Sequence, residues 1–84
     1  MMKHELKTWP VPFAAVKGGQ KTCEVRKNDR RYHVGDVLIL SEWDPETEKY
    51  SGRQLEVEVT YIVKGGSFGL PPDLCVLSIS VIPF

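Results

Sequence analysis

A chain of 84 residues has room for one hydrophobic core, because a domain of this size buries only about 60% of the surface that its unfolded chain exposes. A composition that is 42% apolar and 26% charged excludes intrinsic disorder, and a formal charge of zero excludes a protein that holds nucleic acid by bulk electrostatics alone. Cys23 and Cys75 are too few for a disulfide framework and read as buried, reduced thiols; with no leader-like or membrane-length apolar run, the expectation is one soluble, cytoplasmic domain over residues 1–84.

The charge is unevenly placed. Residues 1–42 hold eight Lys/Arg against five Asp/Glu, residues 43–84 hold three against six, and the span from Lys17 to Arg31 holds six against two. A local basic stripe therefore survives the neutral total.

Residues 2–8 (MKHELKT) read as a first strand with Leu6 inward. Trp9-Pro10-Val11-Pro12 then opens a short helix through Lys17, since proline's missing N–H costs nothing in a first helical turn. Phe13 and Val16, three apart, give it an apolar side. Gly18 and Gly19 end it, glycine being free to adopt the left-handed cap conformation. From Gln20 to Lys27 the residues alternate, which predicts a half-buried strand with Cys23 and Val25 on one face and Thr22, Glu24 and Arg26 on a charged outer face. On that alternation Lys21 falls with Cys23 and Val25. It joins Glu24 only if the strand begins after it, or if a bulge near the glycines turns it.

Asn28 to Arg31 is a polar turn, and Val34-Gly35-Asp36 is a second one leading into Val37 to Trp43, apolar on both faces as a central strand is. Asp44 to Gly52 supplies a hairpin loop, and Arg53 to Lys64 alternates with Leu55, Val57, Val59, Tyr61 and Val63 inward. Gly65 to Asp73 is an irregular Gly- and Pro-rich loop. Leu74 to Ile82 forms a last strand with Cys75, Leu77, Ile79 and Val81 on one side. The fold class is α+β, mainly β with one or two short helices: a small closed or nearly closed barrel plugged by a helix.

Gly19-Gln20-Lys21-Thr22-Cys23-Glu24-Val25-Arg26 fits the pattern GxKxxExR, with VGDVLIL after it, HELKTWP before it and EWDPET in the hairpin. In these segments, and over nearly its whole length, the chain resembles the ASCH domains of the PUA-like superfamily, in particular their short stand-alone members. The resemblance implies a PUA-like β-barrel with a cleft beside the motif and a role in binding RNA or a nucleotide. Among its small members, the resemblance also brings in amidohydrolases acting on N4-acylated cytidine nucleosides through a Lys, a Thr and a later Glu. Here Glu24 stands where that Thr would be, and the connection before the last strand offers only Asp73 as an acid.

The residues themselves point to a binding site at Lys21, Glu24 and Arg26. Arginine presents a planar fork to a phosphate or a base edge, lysine a point charge, and a carboxylate accepts from an exocyclic amine. Trp9 and Trp43 are candidate stacking surfaces, and Lys17 adds to the basic stripe. The plainer reading pairs Glu24 with Arg26 for about 0–1 kcal/mol at a surface and leaves both tryptophans at the core margin. His4 and His33 have no ligand spacing with either cysteine, so neither a metal nor a cofactor is expected. The favoured reading is an RNA- or nucleotide-binding module that needs no chemistry. The alternatives are the amidohydrolase and a protein-interaction or regulatory module.

Overall fold

A computed structural model describes residues 1–83. Strands β1 (Lys3–Thr8), β2 (Cys23–Lys27), β3 (Val37–Asp44), β4 (Lys49–Lys64) and β5 (Leu74–Val81) form one sheet, and helix α1 (Pro10–Lys17) lies between the first two in sequence. The order across the sheet is β1-β3-β4-β5-β2. Only β1 and β3 run parallel, which follows from their long connection through α1 and β2; the turns that join β3 to β4 and β4 to β5 enforce antiparallel pairing.

The sheet curls until its edges, β1 and β2, face each other across a seam. Among the described residues no backbone ladder closes that seam, and two arginine side chains span it instead. Arg26 Nη2 donates to the Lys7 carbonyl at 2.8 Å, and Arg30 Nη1 donates to the Glu5 carbonyl at 3.1 Å. Residues two apart on a strand send their carbonyls to the same side, so both guanidinium groups cap one free edge of β1.

Inside the curl Leu6, Leu38, Leu40, Leu55, Val57, Val59, Leu77 and Ile79 meet Phe13 and Val16 of α1, which is thus the plug expected from the sequence. Phe13 is 1% exposed; burying a side chain of this size contributes about 1.5–3 kcal/mol. The helix starts with Trp9 extended at its N-cap and Pro10 in its first turn. It ends where the Gln20 and Lys21 N–H groups both donate to the Ala15 carbonyl, a closure that needs the positive φ of 85° at Gly19.

Two sequence expectations are corrected. The faces of β2 are reversed: Glu24 is buried and Arg26 half-buried, while Cys23 and Val25 are exposed, so Cys75 alone is the buried thiol. Pairing with β5 is the cause. Glu24 lies opposite Leu77 and Arg26 opposite Cys75, paired residues share a face, and Leu77 and Cys75 are core residues. The alternation of β4 also breaks after Val59. A register shift between Val59 and Tyr61 leaves Tyr61 64% exposed and brings Ile62 against the core in its place.

One buried polar cluster has no counterpart in the sequence reading. His4 Nε2 lies 2.9 Å from Asp36 Oδ2, which also accepts from the His33 N–H at 3.0 Å, while Oδ1 accepts from the Met2 N–H at 3.1 Å. Burial pushes the Asp36 carboxyl up, but these hydrogen bonds outweigh it and bring its pKa down to about 2. The cluster ties the start of β1 to the turn before β3, and the Tyr32 ring meets His4 edge-on at 4.8 Å.

Candidate functional site

Beside the seam, where β1 runs into α1, a hollow of about 380 Å³ opens between Lys7, Thr8, Trp9 and Pro12 on one side and Lys21, Glu24, Val25 and Arg26 on the other. Each wall follows from local structure. Strand β2 begins only at Cys23, so Lys21 escapes the strand's alternation and its ammonium turns back toward the inward-facing Glu24. The same β5 register that buries Glu24 carries Arg26 inward two residues later.

The three motif side chains meet. Lys21 Nζ donates to Glu24 Oε1 at 2.5 Å and to the Cys23 carbonyl, and Arg26 Nε donates to Glu24 Oε2 at 3.1 Å. The carboxylate is 6% exposed, against 31% for Lys21 and 24% for Arg26. Glu24 is thus a buried anchor that holds two cations at the rim, each keeping N–H groups for another acceptor. Taking either cation away would leave a shielded carboxylate short of a partner, which costs more than breaking the loose surface pair of the plainer reading.

Trp9 is 57% exposed and lines the hollow with Pro12, so an indole face is open to a planar ring. Trp43 is not part of the hollow. It is half-buried, with the Lys7 ammonium 4.4 Å from its ring centroid, which fixes the Lys7 side chain at the rim. Lys17 is exposed at the end of α1 and outside the lining. The first turn of α1 borders the hollow, yet Pro10 and Pro12 carry no N–H and the Phe13 N–H is taken by the Trp9 carbonyl at 2.9 Å. That turn therefore offers an anion little beyond the Val11 N–H.

Counting charges, Lys7, Lys21 and Arg26 stand against Glu24, so the lining favours an anion. Two further hollows, of about 390 and 220 Å³, continue along the seam past Arg26 and Arg30. The sequence reading missed Lys7 and Thr8. Lys7 is a solvent-facing position of an ordinary alternating strand, and Thr8 is one more small polar residue at a strand end, so neither carries a local signal. Among the described residues no three of His, Cys, Asp and Glu gather as a metal site requires.

Comparison with known proteins adds a family. A family model described as a domain of unknown function, DUF3850, matches residues 3–79. An uncharacterized 12.9 kDa protein in the GpA 3′ region of Escherichia phage P2 is 42% identical over 57 residues, which cover 68% of this chain and 50% of that protein. The chain thus matches about half the length of that relative. The crystal structure of the hypothetical protein PH0355 is similar with a TM-score of 0.69 at 18% identity, covering 98% of this chain and 100% of that one. At such identity the likeness shows the fold alone.

Proposed function

The chain belongs to the DUF3850 family, a domain of unknown function, and on that footing we propose that it binds RNA or a nucleotide in the hollow beside Lys21, Glu24 and Arg26. We place it with the ASCH domains of the PUA-like superfamily on the spacing of Gly19, Lys21, Glu24 and Arg26 and on the strand and helix order around it.

The observation that carries the reading is the meeting of Lys21 and Arg26 on one buried carboxylate, at the rim of a hollow that also presents an open indole face. Charge-assisted hydrogen bonds from the two cations hold phosphate or a base edge, and Trp9 takes the ring by stacking. A stacked base contributes about 1–3 kcal/mol. The surplus of positive charge is local and small, so affinity is modest and weakens as salt rises.

The test is equilibrium binding of short single-stranded RNA and of nucleoside monophosphates to wild type, Lys21→Ala and Trp9→Ala. Each variant loses about tenfold in affinity, equivalent to about 1.4 kcal/mol; Trp9→Ala keeps its melting temperature, while Lys21→Ala melts lower because it takes a partner from the buried Glu24 carboxylate, and its binding is measured well below its transition. Binding that is indifferent to both substitutions removes the hollow from the account. The acylcytidine amidohydrolase reading has less behind it, because a hydroxyl nucleophile needs a base in hydrogen-bond reach. Thr22 is exposed, and the Thr8 hydroxyl has no partner among the described residues.

A further inference from the structure

We propose that the hollow beside Lys21, Glu24 and Arg26 is one half of a two-unit site, which holds two linked nucleotides of a single strand with their joining phosphate between Lys7 and Arg26. The inference rests on the RNA- or nucleotide-binding reading above and chooses within it: the ligand is a strand, not a free nucleotide.

The way the hollows join carries the choice. The hollow of about 390 Å³ that continues along the seam is lined by Glu5, Leu6, Lys7, Arg26, Arg30 and Tyr50. Among the described residues, its lining and that of the first hollow share Lys7 and Arg26 alone. Both are cations, so the two spaces meet at the point best suited to an anion. On each side of that junction stands an accessible aromatic residue, Trp9 in the first hollow and Tyr50 in the second, both more than half exposed. Aromatic, positive charge, aromatic is the order in which two linked nucleotides present base, phosphate and base. Volumes of about 380 and 390 Å³ each fall within the range of about 300–1,000 Å³ for small-ligand sites, so each hollow takes one unit.

The cations at the junction keep donors for a phosphate. Arg26 uses Nε and Nη2 on Glu24 and the Lys7 carbonyl, which leaves Nη1; Arg30 uses Nη1 on the Glu5 carbonyl, which leaves Nε and Nη2. The Lys7 ammonium lies against the Trp43 ring and makes no salt bridge among the described residues. Trp43 pairs with Tyr50 across β3 and β4, and paired residues share a face, so the ring that positions Lys7 and the ring that takes the second base are neighbours. In the second hollow Lys7, Arg26 and Arg30 stand against Glu5, the same surplus of two positive charges as in the first. Protection of a free strand edge accounts for arginines on the β1 carbonyls. It does not account for an ammonium kept out of salt bridges at the same junction, with an open aromatic on either side.

Calorimetric titration tests this with the 5′-phosphorylated dinucleotides of adenine and of uracil and with the matching 5′-monophosphates. Wild type, Tyr50→Ala, Tyr50→Phe and Lys7→Gln are compared, with thermal melts to establish that each is folded. Wild type is expected to hold the better dinucleotide at least about tenfold more tightly than its monophosphate, equivalent to about 1.4 kcal/mol. Tyr50→Ala loses that advantage and holds the two ligands alike, whereas Tyr50→Phe, which keeps the ring, keeps it. Lys7→Gln binds the dinucleotide about tenfold more weakly than wild type. Equal affinity of wild type for monophosphate and dinucleotide, or an advantage that survives in Tyr50→Ala, overturns the inference and leaves the reading beneath it standing. Dinucleotide affinity unchanged in Lys7→Gln also overturns it, and decides the matter if Tyr50→Ala does not fold. If wild type binds neither kind of ligand, both fall.

Discussion

Removing the Arg26 side chain should loosen the curled sheet, because this guanidinium both spans the seam, beside Arg30, and supports the buried carboxylate. In Arg26→Met the Lys7 carbonyl loses its 2.8 Å donor and Glu24 Oε2 its 3.1 Å donor. Hydrogen bonds that involve a charged partner contribute about 1.5–3 kcal/mol each when broken in place. Arg26 is a quarter exposed, Lys21 remains on Glu24, and methionine keeps the aliphatic packing, all of which reduce the loss. A net destabilisation of about 2–3 kcal/mol follows, near the lower limit for breaking a buried ion pair. For a domain of this size that lowers the melting temperature by about 10–20 °C. Urea unfolding at neutral pH measures the loss. A double-mutant cycle with Glu24→Gln separates the ion pair from the seam contact, since only the ion-pair part vanishes in the Glu24→Gln background. Stability of Arg26→Met within about 0.5 kcal/mol of wild type, the range of an ordinary surface substitution, would refute the idea that Arg26 holds the seam together.

Further expectations concern other parts of the molecule. The Asp36 carboxyl titrates at about 2 when folded against 3.8 as a free side chain, so between those values the unfolded chain binds more protons. Its contribution, at most about 2.5 kcal/mol, is therefore complete above about pH 5 and disappears as the pH falls toward 2; acid unfolding curves of Asp36→Asn should lack that component. A Cβ on Gly65 would stand 2.5 Å from the carbonyl oxygens of Pro71, Pro72 and Leu74, all backbone atoms. Gly65→Ala is thus expected to cost about 1–3 kcal/mol in a denaturant titration. Tyr61→Thr should leave stability within about 0.5 kcal/mol, whereas Ile62→Ala should lower it by about 1–2 kcal/mol. A thiol reagent should modify the exposed Cys23 in the native protein and reach Cys75 only on unfolding, burial having raised the Cys75 thiol as well as covered it. Because Cys23 borders the hollow, its modification should also weaken nucleotide binding.

The reach of the sequence ended where partners far apart in the chain took over. Pro10, Phe13, Val16 and the double glycine carry α1 in one short stretch, and the helix lies where they put it. The runs around Leu38 and Val57 likewise show two central strands. Alternation in β2 gave the period but not the phase, since either face of an edge strand can be the inner one until its register with β5 is fixed. The shift in β4 is invisible for the same reason: nothing in Thr60 or Tyr61 marks a bulge that the pairing with β5 imposes.

The site shows the same division. Lys21, Glu24 and Arg26 were legible as a group because they lie within six residues, and they do meet on one carboxylate. Lys7 and Thr8 come to the hollow from β1, and the hydrogen bond that draws Arg26 to β1 joins residues 19 apart. His4 and Asp36 are 32 apart, and neither had a reason to be read as buried. Trp43 and Trp9 could not be told apart from sequence, since both flank strand ends; only the curl of the sheet leaves one open and covers the other with Lys7.

The most direct test of the hollow as a ligand site is a titration of the isotopically labelled protein with nucleoside 5′-monophosphates, followed by amide and side-chain resonances. Saturable shifts that centre on Thr8, Trp9, Lys21, Glu24 and Arg26 and vanish in Lys21→Ala are the predicted result. Shifts confined to the outer faces of β3 and β4, or none at millimolar nucleotide, would contradict it.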